Sequence, residues 1–130
     1  MNILILGGVA AGTKTAAKLK REDRSLNVTI LTKDKDISYA GCGLPYYVGG
    51  LIENREELIV NTPESYAALT GVEVLTGREA ISVDSEAKTV VVRCTDTGEE
   101  EIHSYDRLVI ATGASPAIPP IEGVGKAGVY

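Results

Sequence analysis

Phenylalanine and tryptophan are missing from this sequence, and six tyrosines are its only aromatic residues. The core must therefore be assembled from Val, Ile, Leu and Ala. Basic residues are outnumbered by acidic ones, and the net charge of -5 argues against the basic face that nonspecific nucleic-acid binding requires. No apolar run reaches the roughly eighteen residues needed to cross a membrane, so no membrane association is expected. The opening Met1-Asn2-Ile3-Leu4-Ile5-Leu6 lacks a basic n-region and a small-residue cleavage site, so it does not read as a signal peptide. Cysteine is scarce. Cys42 and Cys94 are too far apart to read as a disulfide framework, and a reducing cytoplasm is the expected compartment. The one histidine, His103, has no partner in the pattern and is not expected to act as a general base. No metal site is expected.

What is present suits one domain of 130 residues with a modest core. Asn2 to Leu6 is a continuous apolar run with β-branched residues, predicting a strand buried on both faces. After a glycine-rich turn, Ala10 to Arg24 reads as a helix whose small residues Ala11, Ala16 and Ala17 would let it pack closely on a sheet. Asn27 to Thr32 is a second buried strand. Together these make a βαβ unit, with a right-handed crossover expected. A loop with a short helix from Pro45 follows, then a helix over Pro63–Leu69 with Thr62 as N-cap, and a strand over Val72–Leu75. From Arg78 to Tyr105 the alternation changes to period two, predicting an antiparallel β-meander, and Leu108 to Ala111 reads as a last buried strand. The fold class expected is α/β: a Rossmann-like unit on a parallel sheet plus the meander. Residues 1–115 are expected to form the first half of a nucleotide-binding domain. Residues 116–130, with Pro116, Pro119 and Pro120, read as a linker into a new element, as in a fragment of a longer protein.

The turn Gly7-Gly8-Val9-Ala10-Ala11-Gly12 carries the first chemistry. Between a buried strand and a helix, such a turn binds diphosphate through free N–H groups and the positive helix end. Two departures stand out. Val9 takes the place of the middle glycine that allows close approach, and Thr32 takes the place of the acidic residue that binds a ribose hydroxyl. Thr32 itself, Asp34 reaching back past Lys33, or backbone groups could serve. The bland alternative is a helix packed on a sheet with no ligand.

The second chemistry lies in Ser38-Tyr39-Ala40-Gly41-Cys42-Gly43-Leu44-Pro45-Tyr46-Tyr47, where one thiol sits between glycines about thirty residues past the turn. A thiolate attacks sulfur far better than a thiol does, and a helix starting at Pro45 would offer its positive end to Cys42. The alternative is an inert buried thiol. Cys94, in the Val-rich run Val90–Cys94, reads as a small core residue. Lys14, Lys18 and Arg21 share one helix face near the turn and suit phosphate groups, or else form a solvated face.

With the run Tyr105-Asp106-Arg107-Leu108-Val109-Ile110-Ala111-Thr112-Gly113-Ala114, these motifs resemble the FAD-dependent pyridine nucleotide-disulfide oxidoreductases. The resemblance is strongest to the single-cysteine branch of coenzyme A-disulfide and persulfide or polysulfide reductases, NADH oxidases and NADH peroxidases. The branch's Ser-Phe-x-x-Cys pattern stands here as Ser38-Tyr39-Ala40-Gly41-Cys42, with Tyr for Phe and Gly41 where many relatives have Asn. Cys42-Gly43-Leu44-Pro45-Tyr46 is more similar to the coenzyme A-disulfide and persulfide reductases. The resemblance implies that Gly7–Gly12, Thr32–Asp34 and Ala111-Thr112-Gly113 hold FAD. It further implies that Cys42 is the redox thiol, with Ser38 and Tyr39 near the substrate, and that NAD(P)H binds a domain absent from this chain. The partner implied is a coenzyme A disulfide, persulfide or related small thiol compound, and the whole protein would be a homodimer. An oxidase or peroxidase with a Cys42 sulfenate, and a noncatalytic nucleotide-binding module, are the alternatives.

Overall fold

The chain, seen in a computed structural model that describes residues 1–115 and 117–128, forms three layers. Strand β1 (Asn2–Leu6) explains why. Its residues alternate sides, Ile3 and Ile5 packing toward the helices and Leu4 and Leu6 toward the meander, so a continuous apolar run serves two cores. In chain order there follow α1 (Ala10–Glu22), β2 (Asn27–Leu31), α2 (Leu44–Val48), α3 (Pro63–Thr70), β3 (Glu73–Leu75), β4 (Arg78–Asp84), β5 (Thr89–Cys94), β6 (Glu100–Ser104) and β7 (Arg107–Ile110). Short 3-10 turns occupy Gly41–Gly43 and Arg55–Leu58.

The parallel sheet has the order β3-β2-β1-β7, so the chain leaves β1 toward β2 on one side and returns to its other side as β7. That reversal places a crevice at the carboxyl ends of the strands. On one face, α1 and α3 enclose Ile3, Ile5, Ala16, Val28, Ile30, Ile37, Tyr66 and Val72. On the other, Val90 and Val92 of the β4-β5-β6 meander meet Leu4, Leu6 and Leu31. The α/β reading, the parallel sheet and the antiparallel meander are all present. No helix among the described residues is long and apolar enough to cross a membrane.

The differences lie mainly at element ends. Helix α1 stops at Glu22, not Arg24, because Asp23 turns extended and its carboxylate accepts the N–H and hydroxyl of Ser25. Its buried residues are Gly12, Thr13 and Ala16; Ala11 is exposed. Helix α2 begins at Leu44, one residue before Pro45. Helix α3 has the expected N-cap, Thr62 Oγ1 accepting the Ser65 N–H at 3.2 Å, and runs to Thr70 before the left-handed Gly71. Thr32 lies just beyond β2, Val72 just before β3, and Ala111 just beyond β7. Past Pro119, residues 121–128 form turns, with Val124 N–H on the Ile121 carbonyl and Lys126 N–H on that of Gly123. Pro116, at the expected boundary, and Val129 and Tyr130, in the expected new element, lie outside the described residues.

Candidate nucleotide cleft and thiol loop

The crevice is a cleft of about 570 Å³ at the ends of β1, β2 and β7. Leu6 to Val9, Leu31 to Asp34 and Ala111 to Ser115 line it, joined by Tyr39 and by Arg78, Glu79 and Ala80 at the start of β4. Gly7 and Ala111 form its floor. Gly7 has φ +113, and a Cβ there would come within 2.1 Å of the Ala111 oxygen, so only glycine fits. Gly12 likewise lets α1 meet the turn, since a Cβ on it would stand 1.8 Å from the Gly7 oxygen. Val9 has φ -100, so this position does not sit in the left-handed region that favours glycine.

Helix α1 starts from Val9 with no side-chain cap and no acidic residue in its first turn. The N–H groups of Ala10, Ala11 and Gly12 are therefore left for a ligand, at the positive end of a 13-residue helix. Glycines that admit no Cβ and a helix end without an anion fit a dinucleotide diphosphate. Of the expected cofactor residues, Gly7, Gly8, Val9, Thr32, Lys33, Asp34, Ala111, Thr112 and Gly113 line this one cleft. Leu6, Leu31 and the Arg78–Ala80 wall were not foreseen. The Arg78 N–H donates to the Thr32 carbonyl at 2.8 Å, a contact across 46 positions that no local pattern signals.

Cys42 is a free, exposed thiol in the 3-10 turn just ahead of α2, which excludes the buried alternative. Its loop is held from both sides. Ser38 N–H donates to the Gly8 carbonyl at 2.9 Å, and Ala40 N–H donates to the Leu58 carbonyl at 2.7 Å. Tyr39 pairs with Ile59 as an isolated bridge and lines both the cleft and a neighbouring hollow formed with Asp34, Asp36, Leu44, Arg55 and Leu58. Cys42 is absent from the cleft wall itself. Gly43 is required by packing, because a Cβ on it would lie 2.6 Å from Leu58 Cδ2.

The basic stripe divides. Lys14 is exposed on the first half of α1, Lys18 is paired with Glu22, and Arg21 lies at the far end. There Arg21 borders a separate hollow with Lys20, Arg24 and Ala68–Gly71. Lys20 is occupied, donating to the carbonyls of Arg24 and Leu26 at 2.8 and 2.9 Å.

Two readings are corrected. Cys94 is no core residue: it ends β5 half-buried, with Arg78 Nη1 at 3.4 Å from its Sγ. Hydrogen bonds from the Thr97 hydroxyl, then from the Thr97 and Asp96 N–H groups, hold its thiol below the usual range. The buried layer of β5 ends at Val92, and Cys94 stands opposite charged Arg78. His103 does have a partner, Glu101 at 3.1 Å, and Glu101 also holds Arg78 Nε at 2.7 Å.

The family model described as pyridine nucleotide-disulphide oxidoreductase matches residues 1–130. An NADH oxidase of Methanocaldococcus jannaschii is 39% identical over the whole chain, which spans 29% of that relative. A coenzyme A disulfide reductase of Staphylococcus aureus is 37% identical over 87% of the chain, a match spanning 26% of its length. Among solved structures, an NAD-dependent persulfide reductase from A. fulgidus superposes with a TM-score of 0.91 at 41% identity, over 98% of this chain and 24% of that one. The chain thus covers less than a third of the length of these relatives.

Proposed function

The chain belongs to the pyridine nucleotide-disulphide oxidoreductase family, and from that premise we propose that it is the FAD-binding part of an NAD(P)H-dependent reductase of coenzyme A disulfide or persulfide, with Cys42 as its single redox thiol. Residues 1–115 are the first half of the FAD domain, and residues 116–130 lead toward an NAD(P)H domain. The whole enzyme is a cytoplasmic homodimer. The observation that carries this reading is the Ser38–Gly8 hydrogen bond, which ties the loop of an exposed thiol to the turn of a dinucleotide cleft.

Gly7, Gly8 and Val9 with the N–H groups of Ala10, Ala11 and Gly12 would hold the diphosphate. Thr32, Lys33 and Asp34 would meet the adenosine end, and Ala111, Thr112 and Gly113 would close the floor. Bound FAD would supply two-electron transfer between NAD(P)H and sulfur. Cys42 does the sulfur chemistry: its thiolate displaces one thiol of a disulfide, which leaves as thiolate, and a mixed disulfide remains on Cys42. Ser38 and Tyr39 flank the incoming compound, and Lys14, exposed on the first half of α1, offers charge to its phosphates.

The test is NADH consumption by the full-length protein. Turnover with coenzyme A disulfide but not with oxygen alone, abolished in Cys42→Ser while the visible flavin absorbance persists, is the expected result. The 39% identity to an NADH oxidase favours a second reading, in which Cys42 cycles through a sulfenate. Oxygen-dependent NADH consumption without any disulfide would select it. A folded, colourless protein that takes up no FAD would leave only a noncatalytic module.

A further inference from the structure

In a dinucleotide-binding crevice, a carboxylate at the end of the second strand accepts the adenosine ribose 2′-hydroxyl and repels a 2′-phosphate. Here that place is taken by Thr32, and the next residue is Lys33. Thr32 is 5% exposed. Its N–H donates to the Leu75 carbonyl at 3.1 Å, and its carbonyl accepts the Arg78 N–H at 2.8 Å. Its methyl packs against Gly8, 3.1 Å from where a Cβ would stand. With the backbone and the methyl committed, the hydroxyl is what Thr32 has left for the cleft it lines. Exposed Lys33 brings a cation to the same wall. Of the nearby acids, Asp36 is paired with Arg55. Asp34 and Glu79 also line the cleft, but on exposed residues whose side chains can turn to solvent. A carboxylate at position 32 would have no such freedom.

We propose that this cleft does not discriminate against a 2′-phosphate on the adenosine ribose. Thr32 meets the ribose through a neutral hydroxyl, and Lys33 offsets the phosphate charge. The cleft therefore accepts 2′-phosphorylated adenosine dinucleotides and their fragments alongside unphosphorylated ones. The inference rests on the dinucleotide reading of the cleft.

The experiment uses the full-length polypeptide stripped of flavin. Quenching of flavin fluorescence follows FAD rebinding, with ADP-ribose and its 2′-phosphate as competitors, so that only the FAD cleft is read. The two competitors should inhibit at concentrations within about threefold of each other, less than 1 kcal/mol of discrimination. Thr32→Glu and, on an exposed side chain that does not threaten folding, Lys33→Glu should each shift that ratio roughly tenfold against the 2′-phosphate. A wild-type preference of about tenfold or more for ADP-ribose, with FAD still binding, would overturn this inference and leave the dinucleotide reading standing. Unchanged ratios in both variants would overturn the roles of Thr32 and Lys33. Folded protein that binds neither FAD nor ADP-ribose would sink both readings.

Discussion

The backbone N–H of Ser38 donates to the Gly8 carbonyl at 2.9 Å, while the Ser38 carbonyl accepts the Val60 N–H at 3.1 Å. One residue thus clamps the thiol loop between the glycine turn and the segment after the Arg55–Leu58 turn. It does so at φ +52, in the left-handed region. Ser38→Val should cost about 1–3 kcal/mol, since a β-branched residue resists that conformation, and Ser38→Gly should be tolerated. Thermal unfolding of the two variants side by side checks this.

The glycines flanking Cys42 are not equivalent. A Cβ on Gly43 would press on buried Leu58, whereas one on Gly41 would lie 3.6 Å from the Tyr39 ring, an ordinary contact. Gly43→Ala should destabilise by about 1–3 kcal/mol and Gly41→Ala by less than about 0.5 kcal/mol. Denaturant midpoints measured under one set of conditions would expose equal losses, which this picture does not allow.

Tyr66 is 5% exposed and donates its hydroxyl to the Thr13 carbonyl, joining α3 to α1. Burial raises its phenol above the usual range. Tyr66→Phe keeps the ring and removes the hydrogen bond, for an expected loss of about 1 kcal/mol; Tyr66→Ala should lose about 3–5 kcal/mol by leaving a cavity. Chemical denaturation of both variants gives the comparison.

Hydrogen bonds from Thr97 and Asp96 favour the Cys94 thiolate, so alkylation of Cys94 in a Cys42→Ser background should rise at lower pH than for a free cysteine. Thr97→Val removes the leading donor and should move the midpoint upward. A midpoint that stays put would show that the hydroxyl contributes nothing.

Glu101 is held below the ordinary carboxylate range, first by His103 and then by Arg78. A depressed folded value means that its contribution is present above the unfolded pKa and is lost as pH falls through the folded one. Below about pH 4.5 the wild type should therefore lose stability more steeply than Glu101→Gln, and the two curves should converge in stronger acid. Melting temperatures across that acid range are the readout.

The architecture was legible wherever neighbours in sequence decide it. The unbroken apolar run of β1, the glycine turn and the period-two alternation of β4 to β6 each follow from local patterning, and the structure contains all three. What escaped depends on contacts between distant segments. Nothing near Arg78 signals that its N–H closes on Thr32, so the β4 wall of the cleft went unforeseen. Cys94 lies on the same strand face as Val90 and Val92, but the buried layer ends one step before it. Glu101 and His103 were within reach, because residues two apart on a strand share a face.

The position of β7 has a further consequence for synthesis. Ala111 N–H donates to the Leu6 carbonyl at 2.8 Å, and Asn2 N–H reaches the Asp106 carboxylate at 2.7 Å, 104 residues away. While the nascent polypeptide emerges from the ribosome, one edge of β1 stays bare until the meander has been translated. The glycine turn waits that long for its Ala111 neighbour, so this wall of the crevice is assembled late, once β7 has been made and has paired with β1.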